Sequence, residues 1–189
     1  MSDRVRILGI DPGSRITGYG IVDVAGGDPV HVSSGCLRVG RDDFAARLHA
    51  IFTGLSALVA EFGPDEVAIE RVFLSRNPDS ALKLGQARGA ALCATFARAD
   101  GAAAVPVFEY SATQIKQAVA GRGRAEKAQV QRMVQVLLGT DGAPQADAAD
   151  ALAAALCRAY TRRAQALVGE AVGKGAAGQA LRTAGRRSS

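Results

Sequence analysis

The 189-residue chain is long enough for one domain of ordinary size and too short for two large lobes. Its 48% hydrophobic content can fill a core, which excludes global disorder, and no run of about 18 apolar residues suggests a membrane span. The net charge of +5 belongs to the end of the chain: residues 162–189 set six basic side chains against Glu170, whereas residues 1–161 balance seventeen against seventeen.

Residues 5–10 (VRILGI) form a short apolar run ended by Asp11-Pro12-Gly13, which predicts a strand running into a turn. Residues 18–24 and 30–39 predict two more strands, joined by the turn residues Gly26-Gly27-Asp28-Pro29. Three strands on short links predict an antiparallel meander. Residues 42–62 then place Phe44, Leu48, Ile51, Phe52, Leu55, Leu58, Val59 and Phe62 at helical spacing, and Gly63-Pro64 stops the helix. Residues 66–73 are β-rich, 79–99 helical and Ala-rich on one face. Residues 104–109 predict a fifth strand, at an edge because Pro106 has no N–H to give to a ladder. Helices are predicted over 111–120 and 125–138, separated by Gly121-Arg122-Gly123-Arg124, and a last one over about 146–163. The Gly/Ala/Arg-rich remainder lacks apolar periodicity and reads as disordered. The expected organisation is a domain over 1–163 and a basic tail over 164–189. Right-handed crossovers after the meander make the fold class α/β, one mixed five-stranded sheet flanked by helices on both faces.

Three cysteines (Cys36, Cys93, Cys157), widely spaced, fit a reducing cytosol, and with only His31 and His49 present a Cys- or His-based metal site is excluded. The first residues, MSDRVRILGI, show no signal-peptide pattern, so a cytoplasmic location is expected.

Four acidic residues invite a chemical reading. Asp11, at a strand end, can aim at a metal or phosphate, with nearby glycines admitting a ligand backbone; it can equally be part of an ordinary Asp-Pro-Gly turn. Glu70 sits late in an apolar strand, where a carboxylate is costly to bury without a cation, or else faces water or a neighbouring Arg. Asp147 and Asp150 share a helix face, or form a capping-box-like pair in a first turn. Together the four would sit at two neighbouring strand ends under one helix. Close pairs repel by roughly 4 kcal/mol at 4 Å and an effective dielectric near 20. Such a group protonates, distorts or binds cations, and hard oxygen donors favour Mg²⁺ or Mn²⁺. Two such ions about 3.5–4 Å apart activate water and stabilise the leaving oxygen of a phosphodiester.

The basic residues Lys116, Arg122, Arg124, Lys127 and Arg132 lie within seventeen positions, opposed by Glu126 alone. Arg71, Arg76, Lys83 and Arg88 flank the 73–80 loop. Each is a solvated surface cation or a phosphate contact, and the flexible GRGR loop suits a phosphate backbone. Phe73 either plugs the core or wedges between bases.

At these residues the chain resembles the bacterial RuvC Holliday-junction resolvases. The carrying stretches are Ile10-Asp11-Pro12-Gly13-Ser14-Arg15 with Thr17-Gly18-Tyr19-Gly20, Ile69-Glu70-Arg71-Val72-Phe73, the run from Asp79 to Gly89, Ala125-Glu126-Lys127, and the run from Gln145 to Leu152. They follow in family order over about residues 5–160. The resemblance implies an RNase H-like fold and a homodimer with two active sites. It implies Mg²⁺-dependent nicking of two opposed strands of a four-way DNA junction, leaving 5′-phosphate and 3′-hydroxyl ends. The family's four acidic metal ligands fall on Asp11, Glu70, Asp147 and Asp150, with two Mg²⁺ per subunit and Mn²⁺ as a substitute. Its junction-wedging aromatic falls on Phe73 and its catalytic lysines on Lys116 and Lys127. DNA contacts are expected from Phe73, Arg76, Lys83, Arg88, Lys116, Arg122, Arg124 and Lys127. The family works with a branch-migration motor complex, RuvA and RuvB.

Three other readings are weighed. An actin-like or sugar-kinase-like ATPase needs two such domains and a second phosphate loop, which is not visible after residue 120. A silent DNA-binding member has no use for four acids facing a polyanion. A nuclease of the same fold acting on RNA or another branched DNA differs from the main reading only through Phe73, the 76–89 region and the basic loops.

Overall fold

The computed structural model describes residues 4–40, 43–71, 77–98 and 103–184, with side chains described as far as residue 169. β1 (Val5–Asp11), β2 (Ile16–Val24) and β3 (Val30–Arg38) form the expected antiparallel meander. α1 (Phe44–Phe62) leads into β4 (Glu66–Glu70), which pairs parallel with β1, and α2 (Pro78–Ala94) into β5 (Val107–Tyr110), which pairs parallel with β4. α3 (Ala112–Ala120), α4 (Lys127–Leu138) and α5 (Ala146–Ala184) complete the chain. The strand order β3-β2-β1-β4-β5 puts β5 at the edge, as Pro106 requires.

Local chemistry sets the helix ends. Asp43 accepts from the Ala46 N–H at the start of α1, and Gly63 ends it at φ 54°, a left-handed conformation that glycine adopts without strain. Ser111 and Gln114 cap α3 reciprocally. Asn77 caps α2 from before Pro78, and that helix stops at Ala94, short of the expected 99. By length and composition α1 is apolar enough to cross a membrane, which amends the reading of no membrane-length apolar run. In the fold its Ile51, Leu55 and Val59 are buried against the sheet.

Strand alternation divides the core in two. Leu8, Ile10, Ile21, Val67 and Ile69 face α1 and α2. Ile7, Val22 and Ala68 face α3, α4 and α5. Helices therefore cover both faces of the mixed sheet, the expected arrangement. On the second face lie Gly9, Gly18 and Gly20, and the Ala-rich start of α5 packs directly on them. A Cβ on Gly9 would run into the Ala151 carbonyl, and one on Gly18 into the Asp147 carbonyl. Glycine against alanine lets helix and sheet backbones approach closely.

Two differences from the sequence reading are physical. β4 ends at Glu70, and of the residues expected to continue it 72 and 73 lie outside the described residues. The last helix does not stop near residue 163 but continues to Ala184. Its alanines, leucines, glutamines and arginines are good helix formers, against which the four glycines at 169, 173, 175 and 178 weigh. From Arg162 to Gly169 the residues are exposed, and polar contacts of Arg162 with Glu66 and Arg163 with Asp28, rather than apolar burial, tie this stretch to the body.

At the far end of β4 from Glu70, Arg158 donates to both oxygens of buried Glu66, at 2.7 and 2.9 Å, and stacks over Phe108. Burial alone would raise the Glu66 carboxyl, but Arg158 and Arg162 outweigh it and hold it below the ordinary carboxylate value. The pair ties α5 to β4 and aligns the helix along the sheet.

Candidate active site

Asp11 and Glu70 are the last residues of β1 and β4. The parallel register pairs Ile10 with Ile69, so the Asp11 and Glu70 backbones stand side by side, one strand spacing of about 4.8 Å apart. Both side chains lie on the α5 face, because their neighbours Ile10 and Ile69 point to the other side. Thr17, buried in β2, donates its hydroxyl to the Gly13 carbonyl at 3.1 Å and anchors the turn after Asp11.

α5 brings the other two acids. Its first helical bond runs from the Ala149 N–H to the Gln145 carbonyl, which makes Gln145 the N-cap and puts Asp147 inside the first turn. The alternative of Asp147 as a capping residue is thus not what forms. Asp147 and Asp150 project toward the strand ends, and both raise the Asp11 pKa. The glycines of the Asp11 turn region were read as admitting a ligand backbone. Gly18 and Gly20 instead admit α5. Their two-residue alternation opposite an Ala-rich helix is the signal in the sequence for this packing role.

The lysines come from the other side. Lys116 on α3 and Lys127 at the start of α4 line a cleft of about 250 Å³ together with Glu70 and Asp150. Lys127 Nζ lies 2.5 Å from an Asp150 carboxylate oxygen. The hydrogen bond and charge of Asp150 raise the Lys127 ammonium above its ordinary pKa, which keeps it cationic.

The electrostatics are those of a site built for positive charge. Burial, then Asp150, Glu70 and Asp147, push the Asp11 carboxyl up to about 7. Burial and Asp150 also raise Glu70, against the pull of Lys116 and Lys127. Among the described residues no three acidic, imidazole or thiol side chains are already drawn together as a closed metal shell. Lys127 engages Asp150. The donor set is all carboxylate oxygen, which suits a hard divalent cation.

One consequence is measurable without substrate. A carboxyl whose folded pKa lies above its unfolded value stabilises the fold fully below about pH 4, and that contribution is gone once pH passes the folded value of about 7. In EDTA, Asp11→Asn is therefore expected to raise Tm by a few degrees at pH 8 and by less at pH 5, read by thermal denaturation. A variant that melts lower at pH 8 would mean that Asp11 holds the fold together.

Not every expected DNA contact converges here. Arg122, bonded to Gln129 at 2.7 Å, and Arg124 sit on the exposed loop joining α3 to α4, beside the cleft. Lys83 instead pairs with Asp79 one turn away on α2, at 2.6 Å, and Arg88 pairs with Glu109 of β5, at 2.6 Å. Phe73 and Arg76 lie outside the described residues.

A family model described as "Crossover junction endodeoxyribonuclease RuvC" matches residues 7–158. A crossover junction endodeoxyribonuclease RuvC of Shewanella piezotolerans is 57% identical over 163 residues, which span 86% of this chain and 91% of that protein. The one from Shewanella loihica is 58% identical over 155 residues, 82% and 87% of the two chains. The structure of Thermus thermophilus RuvC in complex with Holliday junction substrate matches with a TM-score of 0.77 and 35% identity, over 85% of this chain and 96% of that one. A yeast mitochondrial Holliday junction resolvase shares the fold, with a TM-score of 0.61 and 14% identity over 82% and 79% of the chains.

Proposed function

The chain belongs to the RuvC family of crossover junction endodeoxyribonucleases, and from that premise we propose how it resolves Holliday junctions by symmetric, metal-dependent nicking of two opposed strands. The observation that carries the reading is one cleft where strand-end and helix-start carboxylates meet two lysines.

Asp11, Glu70, Asp147 and Asp150 would hold Mg²⁺, two ions per subunit, with Mn²⁺ able to replace it. The fit rests on four carboxylates, and burial first, then the charge of the neighbouring acids, raises Asp11 and Glu70. Bound there, the ions supply positive charge to the scissile phosphate and help activate a water. The chain does the rest. Lys127 and Lys116, on separate helices, hold cationic charge beside Glu70 and Asp150, where the scissile phosphate would lie. The strand ends and the seated start of α5 fix the carboxylates before substrate arrives, so little reorganisation opposes reaction. Arg122 and Arg124 would contact the backbone beside the cut, and Phe73 would open the junction centre; Lys83, Arg88 and Arg76 would act further along the DNA.

A homodimer gives the two sites that paired nicks require. Exposed Leu82 and Phe96, in and just after α2, support a partner surface on that side of the sheet. The proposed setting is the cytoplasm, together with the RuvA and RuvB branch-migration motor.

The test is an end-labelled synthetic four-way junction beside linear duplex of the same sequence, with Mg²⁺ or EDTA. Symmetric, ligatable nicks in the junction alone, and only with Mg²⁺, are expected. Binding without cutting on several junction sequences would overturn the nuclease reading.

The segment 164–189 is proposed as an electrostatic tether for DNA. Truncation after Arg163 is expected to weaken junction binding most at low salt and to leave the cleavage pattern alone. A salt slope unchanged by truncation would remove the idea.

A further inference from the structure

Arg15 and Arg38 stand at the same end of the sheet as the carboxylates, on the flank away from Lys116 and Lys127. Asp11, Gly18 and Cys36 form one row across β1, β2 and β3, so β3 runs about 10 Å from Asp11. Arg38 lies two residues beyond Cys36, on the same face, and ends the strand. It pairs with Ile16, and the Val39 N–H donates to the Arg15 carbonyl at 3.1 Å, so the two arginines share one corner. That corner is braced: Arg47 donates to the Ser14 carbonyl at 3.2 Å and Thr17 to that of Gly13 at 3.1 Å.

Both side chains are exposed, and among the described residues neither has a carboxylate partner. Arg6, Arg88 and Arg158 are each paired to an acid. Arg38 donates only to the neutral side chain of Gln145, at 2.8 Å, a bond that a phosphate oxygen would outcompete through charge. A DNA strand drawn across four carboxylates is repelled at the centre and needs cations on both flanks. Lys116, Lys127, Arg122 and Arg124 provide one flank only.

Resting on the nuclease reading, we propose that Arg15 and Arg38 form a second phosphate clamp, which holds the cut strand's backbone on the β2–β3 side of the carboxylates. The strand then crosses the end of the sheet from the α3–α4 loop to the turn between β1 and β2. At about 3.4 Å of duplex axis per nucleotide, about 10 Å from Asp11 spans about three nucleotides, so the clamp acts a few nucleotides from the cut.

The test compares wild type with the double variant Arg15→Gln/Arg38→Gln, and with Gln145→Leu. A labelled four-way junction is titrated in EDTA over a range of salt, and cleavage is followed with Mg²⁺. The double variant is expected to bind about tenfold more weakly, with a log–log salt slope smaller by about 2, the loss of two phosphate contacts. In cleavage the loss falls on KM rather than kcat. Affinity and salt slope equal to wild type overturn the clamp. So does a fall in kcat at unchanged salt slope that Gln145→Leu reproduces, because Arg38 then acts only by positioning α5. Wild-type protein that binds the junction but never cuts it overturns the nuclease reading, while the salt slope still decides the clamp. Wild-type protein that binds no DNA overturns both.

Discussion

Replacing Asp11 by Asn is expected to lower junction cleavage at least about a thousandfold, on the order of 4 kcal/mol of transition-state stabilisation, while junction affinity stays within a few-fold of wild type. Asp11 is the acid that senses all three others: burial aside, Asp150, Glu70 and Asp147 each raise its pKa. It is the centre of the charged group rather than one of its rims. The amide keeps the shape and the strand end but removes the charge that would hold a cation there. Binding would depend on other residues, the basic loop and the sheet-end arginines of the proposed clamp, and would lose one source of repulsion. Single-turnover cleavage and equilibrium binding on the same junction check this. A fall in affinity as large as the fall in rate would mean that the carboxylates serve binding rather than chemistry. Substantial cleavage remaining in the variant would mean that Asp11 is not needed for the chemistry.

Gly18→Ala is expected to cost both stability and activity. A Cβ at this position meets the Asp147 carbonyl and the Ala148 N–H, which belong to rigid backbone rather than to the end of a side chain. Either β2 or the start of α5 must move. Overpacking of this kind costs about 1–3 kcal/mol, and the displaced turn is the one that carries Asp147. A misplacement of about 1 Å at reacting groups costs on the order of a hundredfold in rate. Gly27→Ala is the control: it has open space around it and no positive φ, so neither stability nor cleavage is expected to change. Denaturant unfolding and cleavage rates of the two variants check the contrast. A Gly18→Ala protein as stable and active as wild type would show that α5 is not held by close backbone contact.

The two substitutions mark how far the sequence could be read. The acid at position 11 is visible as a charged residue closing an apolar strand. The role of Gly18 is not, because a glycine after a turn looks the same whether it faces a ligand, solvent or a helix packed from far along the chain. Asp147 shows the same limit. Its spacing to Asp150 suits a cap or a shared face equally, and only the bond from Ala149 to Gln145 decides between them. Lys83 and Arg88 were grouped with the DNA contacts by their place in the chain. In the fold the first is engaged one helical turn away and the second by an acid of β5.

Local pattern was enough for most of the elements. Period-two and helical apolar spacing, with Gly, Pro and capping residues as punctuation, specify strands, helices and their order, since those forces act within a few residues. Pro106 even specified the edge strand. The four acids, the two lysines and the family they point to were legible for the same reason: residue type and short spacing carry them. Tertiary structure alone decided which of these groups meet. Asp11 and Asp147 lie more than a hundred residues apart, and their proximity comes from a stripe of glycines in the sheet facing alanines in α5. The pairing of Lys127 with Asp150, the alignment of α5 by Arg158 and Glu66, and the corner shared by Arg15 and Arg38 arise in the same way. Each depends on backbones brought together by burial of apolar surface across the whole chain, and no window of neighbouring residues contains that information.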